Sequence, residues 1–238
     1  MRTVIRANVL TVKMRSSIIA LESIAEDTDM KHDEKIVYVA FGDSITFGAE
    51  RSRQFAQMDD PYPKLVGEAL GFSEVRNLAV SGATLCKNDM GLCCMTDRIL
   101  AYTDSADVIS VMLGVNDWAR ALPVGAADDR TTDTVYGCLN LIAEHLTRNH
   151  KSAYSFFMTP FKSAQRHDAY PLTDVVNAVK TVASSYGIPV LDMYEHGKYE
   201  FEMHAEGSDG LHPTQAFIRT YAAPIIVEFL KGNYASKK

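Results

Sequence analysis

Cysteine, tryptophan and proline are sparse in this 238-residue chain, at four, one and eight residues. So few cysteines cannot staple a chain of this length by disulfides. Their placement also argues against a zinc site. Cys86, Cys93 and Cys94 fall in "CKNDMGLCC" without ligand spacing or a nearby histidine, and Cys138 stands alone. They read as free thiols, which suits a reducing compartment. Basic residues are in deficit as well, 24 Lys and Arg against 30 Asp and Glu. A net charge of −6 argues against a general nucleic-acid binder. No apolar run is long enough to span a bilayer. Arg6, Lys13 and Arg15 interrupt the stretch near the start that could otherwise resemble a secretory signal, so the expected location is cytoplasmic.

What the chain does contain is ordinary for a globular domain, with 47% hydrophobic and 23% charged residues. From residue 36 onward, short apolar runs alternate with amphipathic stretches. The runs at 36–41, 75–80, 107–113, 153–159 and 188–193 suit strands buried on both faces, as in a parallel sheet. Between and after them, 133–149, 171–186 and 213–231 carry helical periodicity, and Pro224 should kink or split the last of these. Strand–helix alternation predicts a three-layer α/β fold with right-handed crossovers. With no internal repeat or low-complexity linker, the chain reads as one domain over 36–238 behind an N-terminal extension over 1–35. In that extension 3–13 could be an edge strand and 16–27 a short amphipathic helix.

Ligands of open α/β sheets bind outside the carboxyl ends of the strands. There the sequence places Ser44 after the first strand, Gly82 after the second and Asn116 after the third. Asp209 and His212 follow the fifth, beyond an unusually long loop. These are the parts that acyl transfer requires. A serine hydroxyl attacks well only when a base takes its proton, and His212 can be that base. Asp209, three residues earlier, can accept from the other ring nitrogen and fix the tautomer, with Gly210 giving the corner its backbone freedom. The backbone N–H groups of Ser44 and Gly82 and the amide of Asn116 can hold an oxyanion. Gly42 and Gly114 would keep the strand ends clear. Each residue also has a plain reading: Ser44 a helix cap, Gly82 and Gly114 turn glycines, Asn116 an Asx-turn residue, Asp209 and His212 half of a metal site. Asp117 reads as structural in that same Asx-turn sense. All of them falling in the right loops together favours catalysis.

With these residues in place, the chain resembles the SGNH hydrolases, the GDSL-type esterase and lipase family. "FGDSITFG" is similar to the family's nucleophile block, "NLAVSGATL" to its glycine block, "LGVNDW" to its asparagine block and "SDGLHP" to its Asp-x-x-His block. They occur in the family's order across residues 41–213. The resemblance implies Ser44 as nucleophile, Gly82 and Asn116 as oxyanion donors, and Asp209 and His212 completing a triad. It implies a flavodoxin-like α/β/α sandwich and no metal or organic cofactor. The N-terminal extension departs from it, because the family's first block usually lies near the start of the domain.

Other classes fit less well. An α/β-hydrolase would carry a Gly-x-Ser-x-Gly elbow, which is absent. A non-catalytic binding module on the same fold would not need all five residues, and a metal-dependent phosphoesterase is more distant still. Substrate is less legible. Asp43, Trp118 and Arg120 are candidate substrate contacts, Trp118 as a pocket wall able to stack on a sugar or as a packed core residue. The polar segment 50–63 is a further candidate wall. The absence of a long apolar lid favours small-acyl esters, carbohydrate O-acetyl groups among them. Lysophospholipid or thioester hydrolysis is the alternative within the family.

Overall fold

The computed structural model describes residues 35–196 and 209–234. Its centre is a parallel five-stranded sheet: β1 (Val37–Gly42), β2 (Glu74–Asn77), β3 (Val108–Met112), β4 (Tyr154–Met158) and β5 (Val190–Leu191). The order across the sheet is β2-β1-β3-β4-β5, with every neighbouring pair parallel. The apolar runs explain the middle of this sheet. All of β3 is buried and β1 nearly so, because helices cover both faces and a strand there has no solvent side.

Both edges differ from expectation. The run 75–80 was expected as a fully buried strand. The structure pairs only 74–77, half-exposed, because β2 has a neighbour on one side alone. The chain leaves the sheet at Asn77. Its side-chain amide donates to the Thr46 carbonyl at 2.8 Å, and its side-chain oxygen accepts from the Ala79 N–H at 3.2 Å. At the other edge β5 shrinks to two residues, and Pro189, which has no N–H to give a ladder, stands just before it.

Among the described residues eight α-helices accompany the strands: α1 (Ser44–Phe47), α2 (Tyr62–Ala69), α3 (Met95–Leu100), α4 (Val115–Ala119), α5 (Val135–Asn149), α6 (Leu172–Tyr186), α7 (Gln215–Phe217) and α8 (Ala223–Asn233). Helices α2 and α8 pack together in one layer, and α3, α5 and α6 in the other. The expected helix over 133–149 begins at Val135, where Thr134 accepts the Gly137 N–H on its hydroxyl. The expected helix over 213–231 divides. Thr214 rather than Pro213 caps α7, and a π-helical turn, Ile218–Ala222, joins α7 to α8. Pro224 follows this π turn, as the second residue of α8. The expected strand over 3–13 and helix over 16–27 lie outside the described residues.

Candidate active site

Strand order 2-1-3-4-5 puts the topological switch between β1 and β3, where the connections leave in opposite directions. The loops after β1, β2 and β3 open beside it. After β1, Asp43 caps α1 by accepting the Ile45 N–H on Oδ1 at 2.9 Å. Ser44 thereby becomes the first residue of a short helix, where its N–H has no carbonyl four residues back within the helix. After β2 comes a turn at Gly82, with φ +79° and nothing within 4 Å of where a Cβ would stand. Glycine is required there by backbone conformation, not by lack of room. After β3, α4 carries Asn116.

The fourth piece comes from the far end of the chain. Asp209 Oδ1 accepts the backbone N–H groups of Leu211 at 3.0 Å and His212 at 2.8 Å. Its Oδ2 accepts from His212 Nδ1 at 2.7 Å, and His212 Nε2 stands 2.8 Å from Ser44 Oγ. Partial burial pushes the Asp209 carboxyl up, but the bonds from His212 and Leu211 outweigh it and hold it below the ordinary value. An ionised carboxylate can only accept, so Nδ1 carries the ring proton and Nε2 is left to accept from the Ser44 hydroxyl. Serine, histidine and aspartate are thus brought into one hydrogen-bonded line.

That line is braced by a segment the sequence gave no reason to notice. Gly210, at φ +76°, turns its carbonyl to accept from the Ala164 N–H at 2.8 Å and the Ser163 hydroxyl at 3.0 Å. Gln165 Nε2 donates to the Asp209 carbonyl at 3.0 Å. The loop after β4 therefore clasps the acid–base corner from behind. No signal short of the fold could have found this, because the partners are more than forty residues apart.

The three expected substrate contacts are each engaged by other groups of the protein. Asp43 is 2% exposed and occupied in capping. Burial pushes its carboxyl up to about 7, opposed by the Ile45 N–H and aided by the nearby Asp117. Trp118 is 4% exposed, donates its indole N–H to the Tyr170 carbonyl at 3.0 Å, and meets His167 edge to face at 4.4 Å. It is a packed residue rather than an open stacking wall. Arg120 turns inward, with Nη1 donating to Asn116 Oδ1 at 2.9 Å. Asp117 is structural as expected, but its partners are remote: it accepts the Leu85 and Cys86 N–H groups at 2.9 Å each, instead of closing its own Asx turn.

All four cysteines are free. Among the described residues no group of three or more His, Cys, Asp or Glu could hold a metal ion, and no helix is long and apolar enough to cross a membrane.

A family model described as the GDSL-like Lipase/Acylhydrolase family matches residues 40–217. No curated protein matches the sequence. Among solved structures, a protein from Lactobacillus plantarum superposes with a TM-score of 0.72 at 24% identity, covering 84% of this chain and 98% of its own. A carbohydrate acetylesterase family member from Sinorhizobium meliloti reaches 0.58 at 17% identity, over 83% and 98%. The inhibitor-bound aryl esterase of M. smegmatis reaches 0.59 at 18%, over 83% and 99%. At these identities the structural likenesses speak for the fold.

Proposed function

The chain belongs to the GDSL-like Lipase/Acylhydrolase family, and from that membership we propose a serine esterase that cleaves carboxylic esters through an acyl-enzyme on Ser44. The observation that carries this reading is the line Ser44 Oγ–His212 Nε2–His212 Nδ1–Asp209 Oδ2, with contacts of 2.8 and 2.7 Å. His212 takes the Ser44 proton as Oγ bonds to the ester carbonyl carbon. The oxyanion that forms is received by the N–H groups of Ser44 and Gly82 and the Asn116 amide. On collapse the carbonyl re-forms, the bond to the leaving oxygen breaks, and His212 returns the proton to that oxygen. Water, deprotonated by the same imidazole, then attacks the acyl-enzyme, releasing a carboxylic acid and the Ser44 hydroxyl. Asp209 stays ionised throughout and stabilises the imidazolium.

Short acyl groups, including O-acetyl groups on carbohydrates, are the preferred substrates in this reading. Its support is the lack of a long apolar lid in the sequence, together with a carbohydrate acetylesterase family member among the similar folds. The test is hydrolysis of p-nitrophenyl esters from acetyl to decanoyl, with and without EDTA, beside Ser44→Ala. Chelation should leave the rate unchanged, and Ser44→Ala should reduce it on the order of a million-fold. Activity that survives in the mutant would remove Ser44 as nucleophile. Equal rates on acetyl and decanoyl esters would remove the short-acyl preference.

A further inference from the structure

Two large hydrophobic side chains stand out as exposed among the described residues, and one of them, Phe55, lies against His212. Its ring meets the imidazole edge to face, with centroids 5.2 Å apart, while Phe55 remains 47% exposed. A single exposed aromatic needs no explanation on a protein surface. This one is held there against backbone preference. Gln54 and Phe55 have φ of 55° and 63°, consecutive left-handed conformations that side chains with a Cβ disfavour.

The surrounding loop keeps that conformation in place. The Phe55 N–H donates to the Glu50 carbonyl at 2.9 Å, and the Glu50 N–H donates to the Ala56 carbonyl at 3.2 Å. The Gln57 side chain donates to the Phe47 carbonyl at 2.8 Å. Glu50 Oε1 accepts the Gln215 N–H at 3.3 Å, and Asp60 Oδ2 accepts from Gln215 Nε2 at 3.1 Å and from Arg219. The loop that carries Phe55 is therefore fastened to the chain segment that carries His212. Strained backbone over-determined in this way is a feature of ligand sites.

Position relative to the chemistry gives the ring a role. In acylation the leaving oxygen must come within hydrogen-bond reach of His212 Nε2 to receive its proton. The oxyanion donors come from the other loops, at Ser44, Gly82 and Asn116. The alcohol part of the ester is thus the portion on the His212 side, and Phe55 is the exposed ring that lies against His212. We propose, resting on the esterase reading above, that Phe55 is a specificity-determining residue for the alcohol moiety. It favours esters whose alcohol presents a flat apolar ring face, as an aromatic ring does or the C–H face of a sugar does.

The experiment compares kcat/KM, which reports acylation, for phenyl acetate, an O-acetylated glucoside and ethyl acetate. The enzymes are wild type, Phe55→Gly and Ser44→Ala. Glycine removes the ring and accepts the left-handed φ, so the loop can keep its shape. Phe55→Gly should lose about tenfold on the ring-alcohol acetates and stay unchanged on ethyl acetate. A loss on phenyl acetate alone would assign the contact to aromatic alcohols, and a loss on the glucoside alone to sugars. Equal losses on all three acetates, or no loss on any, would overturn the inference. With the alcohol fixed as p-nitrophenol, the Phe55→Gly loss should be constant from acetyl to octanoyl. A loss that grows with acyl length would put Phe55 on the acyl side and overturn it too. Undiminished hydrolysis by Ser44→Ala would instead sink the esterase reading itself.

Discussion

Arg120 determines which way the Asn116 amide faces. A guanidinium can only donate, so Asn116 Oδ1 must turn toward it, at 2.9 Å from Nη1. Nδ2 then points the other way, gives one proton to the Ala83 carbonyl at 2.9 Å, and keeps the second for an oxyanion. Asn116→Ala should lower kcat roughly a hundred- to a thousand-fold with little change in KM. Arg120→Met should lower kcat about tenfold at similar KM, the amide being free to turn, and Arg120→Lys should recover part of the loss. Steady-state kinetics on one ester checks both, and an Arg120→Met enzyme that changes only KM would make Arg120 a substrate contact after all. At this scale the residues of the four blocks were legible in the sequence because each falls in a loop that follows a strand. The work of Asp43, Trp118 and Arg120 was not, because residue type shows a side chain's chemistry and not the direction it points.

Among the elements, the acid–base corner runs directly into the C-terminal helical stretch. Pro213 was expected to open that helix, yet the cap is Thr214, whose Oγ1 accepts the Phe217 N–H at 3.2 Å. Thr214→Ala should cost about 1 kcal/mol of stability, read from the shift of a urea midpoint at unchanged m-value. Activity should stay close to wild type, since His212 is tied separately by its own backbone N–H to Asp209 at 2.8 Å. A stability loss under a few tenths of a kcal/mol would mean that α7 does not depend on this cap. The strands, α5 and α6 were legible because a buried strand or a one-sided helix imposes its own period on the sequence. The short α1 and α4 carry too few residues for a period. The clasp from Ser163, Ala164 and Gln165 carries none, because it is made of backbone groups and polar tips brought together only by the sheet.

For the whole molecule, the pattern of apolar runs implied a parallel sheet but not the order of its strands. That order is what sets Ser44 and Asn116 on neighbouring loops. It also buries two carboxylates close together under the site, Asp43 and Asp117, both pushed above the ordinary range by burial. A carboxyl that holds its proton more tightly in the fold than in the open chain stabilises the fold fully below its unfolded value, about 3.9. It loses that contribution as pH rises through the folded value, about 7 for Asp43. Asp209 acts in the opposite sense. Its lowered value gives stability above the unfolded value that is lost only as pH falls through the folded one. The Asp43 contribution should therefore decline toward neutral pH, while burial of His145, which holds its imidazole below the ordinary value, acts against it in the same window. Asp43→Asn keeps an oxygen for the Ile45 N–H at α1 and removes one buried charge. Thermal unfolding followed from about pH 4 to about pH 8 should show the Tm of wild type falling relative to that of Asp43→Asn across that window. Parallel curves would mean that Asp43 is not proton-linked in that window.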